Sequence, residues 1–331
     1  MTIEETPATT PTVAITGAAG FAGSCVIQAF QNKHPDWNLI GIDNFYLGTV
    51  RTVGDLSIKH VDIRDRRRLA SAISDADVVV HLAAISGVPD CTENPDLTYE
   101  TNVVGTANVT NWCRKTGAGL VFPLSMAIVG DPQEFPISID HPRTPMNWYG
   151  RTKVLGERIV ESFAANAFPA HLFLKGNLYG IHRAGGQTVT RNNVINYFVE
   201  RALAGEDLTV YKPGTQARNY VHVVDVAQAY VQSVEAVLDQ RDRGETGIEK
   251  FEIAGRKAPS VLDIAEFIQE VATERGIDVR VRQVENPRTE TLVSNFDVDI
   301  SKAQSELNWE PERGIESSIR EAFDLLSKAN N

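Results

Sequence analysis

The run Thr12-Val-Ala-Ile-Thr16 passes directly into Gly17-Ala-Ala-Gly20-Phe-Ala-Gly23, and this junction constrains the chain more than any other feature. A short β-rich run that ends in spaced glycines and turns helical spells strand, tight turn, helix. Small residues let phosphate oxygens approach the backbone, and a helix starting there offers N–H donors and positive potential. Asp43 closes the next apolar run, Leu39-Ile-Gly-Ile-Asp43, 20 residues beyond Gly23. A carboxylate there accepts hydrogen bonds from the ribose hydroxyls of NAD and repels the 2′-phosphate of NADP. A tight βα turn followed by an unrelated aspartate has the same spelling.

The alternation continues through the first half. Strands are expected at 12–16, 39–43, 57–61, 77–82, 119–124 and 170–174. Helices are expected at 22–30 and 65–73, from Pro95 toward Lys115, and over 146–165. Such alternation specifies a doubly wound parallel sheet of Rossmann type with helices on both faces. The second half is less regular, with helices expected at 193–204, 224–238, 260–274 and 315–326, and strands at 208–211 and 251–253. Residues 239–250 read as an exposed loop. The expected division is a lead at 1–11, a nucleotide-binding domain at 12–177, and a smaller α/β substrate domain at 178–331, with segments near 207–255 returning to the main sheet.

Charge and cysteines narrow the class. The 331 residues carry 32 Lys and Arg against 43 Asp and Glu, a net charge of −11. That excludes a nucleic-acid backbone as the main partner, which needs a basic face. Cys25, Cys91 and Cys113 lie far apart and are odd in number, as expected in a reducing compartment, and the cytoplasm is the expected location. The lead is acidic and rich in Thr and Pro, unlike a targeting segment, and no run is long and apolar enough to span a bilayer. The histidines show no zinc-binding spacing, so no metal is expected.

Two further groups carry chemistry. In Tyr149-Gly-Arg-Thr-Lys153 the first and last residues share a helix face. A neighbouring ammonium favours the phenolate and moves Tyr toward a working proton acceptor. Alone, the same pair describes a solvated helix face. Ser125 follows an expected strand end, where open α/β sheets bind ligands, and its hydroxyl can orient or relay a proton. Alone, it is an ordinary turn serine.

The order of glycine turn, acidic strand end, Asp62-Ile63, Ser125 and Tyr149-x-x-x-Lys153 resembles the extended short-chain dehydrogenase/reductases. More narrowly it resembles the NAD-dependent sugar-nucleotide epimerase/dehydratase family. Further matches are His81-Leu-Ala-Ala84, Asn102-Val-Val-Gly105-Thr106, Asn177-Leu-Tyr-Gly180, Arg218-Asn-Tyr-Val-His222 and Leu307-Asn-Trp309, so the resemblance covers nearly the whole chain. It implies that Gly17, Gly20, Phe21, Ala22 and Gly23 hold the pyrophosphate of NAD. It implies Asp43 and Asn44 for the adenosine ribose, Asp62 and Ile63 for the adenine, and Leu82, Ala83, Ala84 and Asn102 along the cofactor channel. Ser125, Tyr149 and Lys153 would be catalytic, with Tyr149 and Lys153 also touching the cofactor. Ser125, Asn177, Asn193, Arg218 and Arg288 would hold a nucleotide-sugar substrate.

The resemblance implies reversible oxidation at C4 of the sugar, as in the UDP-glucose/UDP-galactose pair. Dehydratases of the family place an Asp-Glu pair after the catalytic hydroxyl residue, and decarboxylases a Glu just beyond it. Here Met126 and Ala127 stand there, so epimerisation is expected ahead of 4,6-dehydration, decarboxylation or 4-ketoreduction. A non-catalytic NAD-binding regulator on the same fold is the alternative of a different class. A homodimer formed through the two long helices, 95–115 and 146–165, is also implied. The chain departs from the family pattern at Val129, at Leu174-Lys175 and at Ile181-His182.

Overall fold

The computed structural model describes residues 10–286 and 293–329. The expected lead therefore falls largely outside the described residues, as does Arg288. TVAIT forms β1 (Thr12–Thr16), buried at every position. It is followed by α1 (Phe21–Lys33), β2 (Asn38–Asp43), the antiparallel pair β3 (Thr52–Val53) and β4 (Leu56–Ser57), and β5 (Lys59–His60). Asp65 caps α2 (Arg66–Ala72) through the N–H groups of Arg67 and Arg68, and β6 (Val78–His81) follows. Next come α3 (Val88–Glu93) and one helical rod. The rod comprises α4 (Pro95–Tyr99), a π-helical turn (Glu100–Gly105) and α5 (Thr106–Thr116). β7 (Gly119–Pro123), a 3-10 turn (Met126–Ile128), α6 (Trp148–Ala164) and β8 (Pro169–Lys175) complete this half.

The second half starts with β9 (Asn177–Tyr179), the hairpin β10 (His182–Ala184) and β11 (Gln187–Val189), and α7 (Val194–Leu203). It continues through β12 (Leu208–Tyr211), β13 (Tyr220–His222), α8 (Val223–Asp242), β14 (Gly247–Ile253) and α9 (Val261–Glu274). β15 (Val281–Val284), α10 (Ser301–Leu307) and α11 (Ile315–Ala329) end it.

Seven strands form one parallel sheet in the order β14-β8-β7-β6-β1-β2-β5. Strand order reverses between β1 and β6, which opens a crevice at their carboxyl ends. Side chains alternate across the sheet. Val13, Ile15, Val78 and Val80 pack under α1 and α8, whereas Ala14, Val79, Leu120 and Phe122 pack under α5 and α6. A third cluster joins α7, α9 and α11. Each large aliphatic or aromatic side chain withdrawn from water contributes about 1.5–3 kcal/mol.

The doubly wound sheet expected from the alternation is present. Other expectations need correction. Residues 239–250 are not an exposed loop, because α8 continues to Asp242 and β14 begins at Gly247. Seven residues of β14 pair in register with β8, from Gly247↔Pro169 to Ile253↔Lys175. That pairing, remote in sequence, outweighs the local charge. Of the stretch near 207–255, β14 joins the sheet, while β12 pairs with β15 and β13 with β9. The third strand shrinks to Lys59–His60, and α3 and α10 carried no signal that the sequence reading used.

Candidate active site

The glycine turn lies at the crevice. Gly17 has φ +69°, and a Cβ there would sit 2.6 Å from the backbone N of Ala83. The turns after β1 and β6 are therefore in direct contact. A Cβ on Gly23 would collide with the carbonyl oxygen of Gly17, so the first turn of α1 presses onto the loop. Gly20 caps α1 without a side-chain bond, and no acidic residue occupies the first helical turn. The N-terminal N–H groups and the positive end of the dipole are thus left to a ligand. Phe21 and Ala22 begin the helix and pack against the core.

Asp43 is 8% exposed. Its Oδ2 accepts from Ala19 N at 3.0 Å and its Oδ1 from Phe45 N at 2.6 Å, so it pins the glycine turn to the end of β2. Burial lifts its pKa, against the pull of those N–H groups and of Arg51. Asn44 Nδ2 donates to Asp62 Oδ2 at 3.2 Å, and Arg64 holds the same carboxylate with Nε and Nη2. Burial would raise the Asp62 pKa, but the Arg64 and Asn44 bonds prevail and lower it to about 2. Ile63 is buried against Gly105. These residues fit NAD: a backbone cradle for the diphosphate and a carboxylate at the ribose end.

The β6 wall is braced from behind. Leu82 N donates to Thr16 O, and Ala83 N to Thr16 Oγ1, both at 3.1 Å. His81 bridges Thr16 Oγ1 at 2.7 Å and Thr106 Oγ1 at 3.0 Å. Burial, with Lys153 nearby, lowers its pKa to about 3, so the imidazole is neutral. Asn102 accepts from Ile85 N and donates to Ile85 O and Thr152 Oγ1. Its side chain therefore clamps the segment beyond Ala84 to α6.

Ser125 caps the 3-10 turn, its Oγ accepting from Ala127 N at 3.2 Å. The Ser125 hydroxyl lies near enough to the Tyr149 phenol to favour its ionised form. The contact depends on a close helix approach. Asn147 caps α6 by accepting from Gly150 N at 2.9 Å, and a Cβ on Gly150 would sit 2.5 Å from Ala127 O. Tyr149 is raised in pKa by burial, with Arg191 and the Ser125 hydroxyl opposing the rise. Lys153 Nζ donates to Pro123 O at 3.0 Å and lies 4.7 Å from the Phe122 ring centroid. Burial lowers the Lys153 pKa to about 8.

The residues expected to hold substrate are more dispersed. Asn177 opens β9 and is exposed. Asn193 caps α7, accepting from Asn196 N at 3.0 Å and donating to Arg191 O at 3.1 Å. Arg218 Nη1 donates to Ala217 O at 2.7 Å, and its guanidinium lies 5.6 Å from the Phe296 ring centroid. The sequence reading missed Arg191 and Cys91 and gave no role to Lys175. All three act electrostatically on Tyr149 or Lys153 or on one another. The departure from the family pattern at Leu174-Lys175 was the available signal for Lys175.

Known proteins resemble this chain over nearly its whole length. A rice UDP-glucose 4-epimerase is 30% identical over 97% of this chain and 91% of its own length. A Thermotoga maritima UDP-glucose 4-epimerase structure, solved with UDP-glucose, superposes with TM-score 0.83 at 24% identity, covering 97% of this chain and 100% of that one. The Thermus thermophilus UDP-glucose 4-epimerase, solved with NAD, gives TM-score 0.79 at 24% identity over 96% and 99% of the two chains. The model of the NAD dependent epimerase/dehydratase family matches residues 13–248. That span holds the glycine turn, the Asp43 pin and the Tyr149–Ser125 contact, and the chain is accordingly a member of this family of NAD-dependent enzymes.

Proposed function

We propose that the enzyme inverts C4 of a nucleotide sugar, with a UDP-hexose as substrate. The observation that carries this reading is the Tyr149 phenol set beside the Ser125 hydroxyl, with Lys153 one helical turn away and no proton-transferring side chain at Met126 or Ala127. Names of relatives at 28–30% identity support UDP-glucose and UDP-galactose as the first pair to test.

Gly17, Gly20, Phe21, Ala22 and Gly23 would seat the NAD diphosphate, Asp43 and Asn44 the ribose, and Asp62 and Ile63 the adenine. When bound, NAD supplies a reversible hydride acceptor. Tyr149 takes the C4 hydroxyl proton and returns it, while Ser125 orients that hydroxyl. Lys153 would hold the nicotinamide ribose, and the positive charge that acts on the phenol is that of Arg191. Asn177, Asn193, Arg218 and Arg288 grip the nucleotide diphosphate. The division of labour we infer is 12–177 for cofactor and 178–331 mainly for substrate. Exposed Tyr99, Val104 and Leu155 on the α4–α5 rod and α6 support a homodimer.

Incubation with UDP-glucose and UDP-galactose, followed by product mass and sugar stereochemistry, tests the reaction. Interconversion at unchanged mass is expected. A product lighter by one water would make it a dehydratase.

A further inference from the structure

The hairpin of β10 and β11 belongs to the expected substrate half but lies across α1, the helix that opens the cofactor seat. Ala184 and Val189 share a core with Val50, Val53 and the buried face of α1. Gln28 on α1 donates through Nε2 to Arg183 O. A Cβ on Gly185 would sit 2.7 Å from Thr52 O, so the turn of the hairpin rests on β3. The hairpin is thus a fixed post beside α1. Its first residue, His182, stood out in the sequence only as a departure from the family pattern, and the proposed reaction gives it no part.

His182 is 8% exposed, and Ser24, near the start of α1, is fully buried. Ser24 Oγ donates to Gly20 O at 2.8 Å, and His182 Nε2 lies 2.9 Å from the same Oγ. A hydroxyl has one proton to donate. Gly20 O takes it, so the bond to His182 runs the other way, with Nε2–H donating and Oγ accepting. Burial lowers the His182 pKa to about 4, so near neutral pH the ring carries this single N–H. Nδ1 is then a bare lone pair, and among the described residues it has no hydrogen-bond partner. A buried acceptor without a partner is tolerated better than a buried N–H without one, which agrees with the same tautomer.

The bonds converge on Gly20 O, which accepts from Ser24 N at 3.0 Å as well as from Ser24 Oγ. The Gly20 carbonyl and the Phe21 N–H belong to one planar trans peptide and point in opposite directions. Fixing the carbonyl therefore fixes the N–H. Phe21 is the first residue of α1, so its N–H has no partner within the helix and is open to a ligand.

We propose that His182 is a positioning residue for the cofactor: it holds the Ser24 hydroxyl on Gly20 O and thereby aims the Phe21 N–H at the NAD diphosphate. The proposal rests on the reading of the glycine turn as the diphosphate seat. It makes that seat depend on a side chain 158 residues beyond Ser24.

Two measurements test this. In the native holoenzyme with isotope-labelled histidine, the ring nitrogen resonances should show His182 protonated at Nε2 and bare at Nδ1 from about pH 6 to pH 8. The opposite tautomer would make Ser24 the donor to His182, release Gly20 O and overturn the proposal. Titration of the full chain with NAD then compares His182→Gln, whose amide reaches as far as Nε2, with His182→Asn, whose amide reaches only as far as Nδ1. His182→Asn should weaken NAD binding about fivefold or more, whereas His182→Gln should stay within about twofold of native, and UDP affinity should hold in both. Ser24→Ala should weaken NAD binding to a similar extent, with His182→Asn adding little on that background. Equal effects of Gln and Asn would make His182 a packing residue, and a loss shared by UDP would mean that the hairpin moves as a whole. Either result overturns the proposal, as would fully additive losses from Ser24→Ala and His182→Asn. Failure of UDP to bind the native chain would count against the nucleotide-sugar reading, while the NAD titrations would still decide the role of His182.

Discussion

At the scale of single residues, two positions separate chemistry from architecture. Tyr149→Phe removes only the ionisable hydroxyl. It should lower kcat by about 10²–10⁴-fold while leaving NAD affinity and unfolding temperature near native values, as steady-state rates and a cofactor titration would show. Gly150→Ala leaves the hydroxyl in place but sets a methyl 2.5 Å from Ala127 O. Neither atom belongs to a flexible side-chain end, so α6 must shift and carry Tyr149 away from Ser125. Turnover should fall at least about tenfold with far-UV circular dichroism unchanged, because a displacement near 1 Å is enough to spoil a reacting geometry. The glycine turn, Asp43, Ser125, Tyr149 and Lys153 could be picked out as candidates through their order along the chain, since Ser125 alone spells a turn and Tyr149 with Lys153 alone a solvated helix face. Arg191 was not. Its meaning depends on Ser86 and Tyr149, which lie on other elements and meet it only after the chain has folded.

At the scale of elements, Glu157 is the joint between α6, the connection before it, and the sheet edge. It is 1% exposed as a side chain and accepts from Arg143 at 2.8 and 3.0 Å and from Lys250 on β14 at 2.7 Å. Burial raises its pKa, but the bonds from Arg143 and Lys250 outweigh burial and leave it below the ordinary glutamate value. A depressed folded pKa stabilises above the unfolded value of about 4.3 and loses that stabilisation as pH falls through the folded value. Glu157→Gln should therefore cost about 3 kcal/mol near neutral pH, with the deficit shrinking below about pH 4. Unfolding temperatures of both proteins across pH would reveal the convergence, and a constant gap would count against it. β14 itself shows why half of the element was unreadable locally. Its last three residues, 251–253, were expected as a strand, whereas GIEK before them looks like the end of a charged loop, and only β8 and the Glu157 joint make it part of the strand.

For the whole molecule, the expected dimer is the first consequence to test. Tyr99, Val104 and Leu155 are 40–45% exposed on adjoining helical rods. Leu155→Glu should weaken self-association by about tenfold or more, read by sedimentation across a concentration series. A monomeric native protein would remove the homodimer reading outright. A second consequence concerns how the molecule is made. The cover for β1, β6 and α1 comes from α8, and the β8 edge is closed by β14, both well over 30 residues later in the chain. At about 5–20 residues per second, a growing chain complete through β8 waits several seconds or more for those elements. During that interval an apolar sheet face and an unpaired strand edge are open to other chains. A fragment ending at residue 177 should accordingly precipitate or remain bound to chaperones, and adding residues through 253 should restore solubility. The half that carries β1 to β8 is thus written first but cannot stand alone until α8 and β14 are made, a dependence that ties its yield in the cell to the part of the chain that follows it.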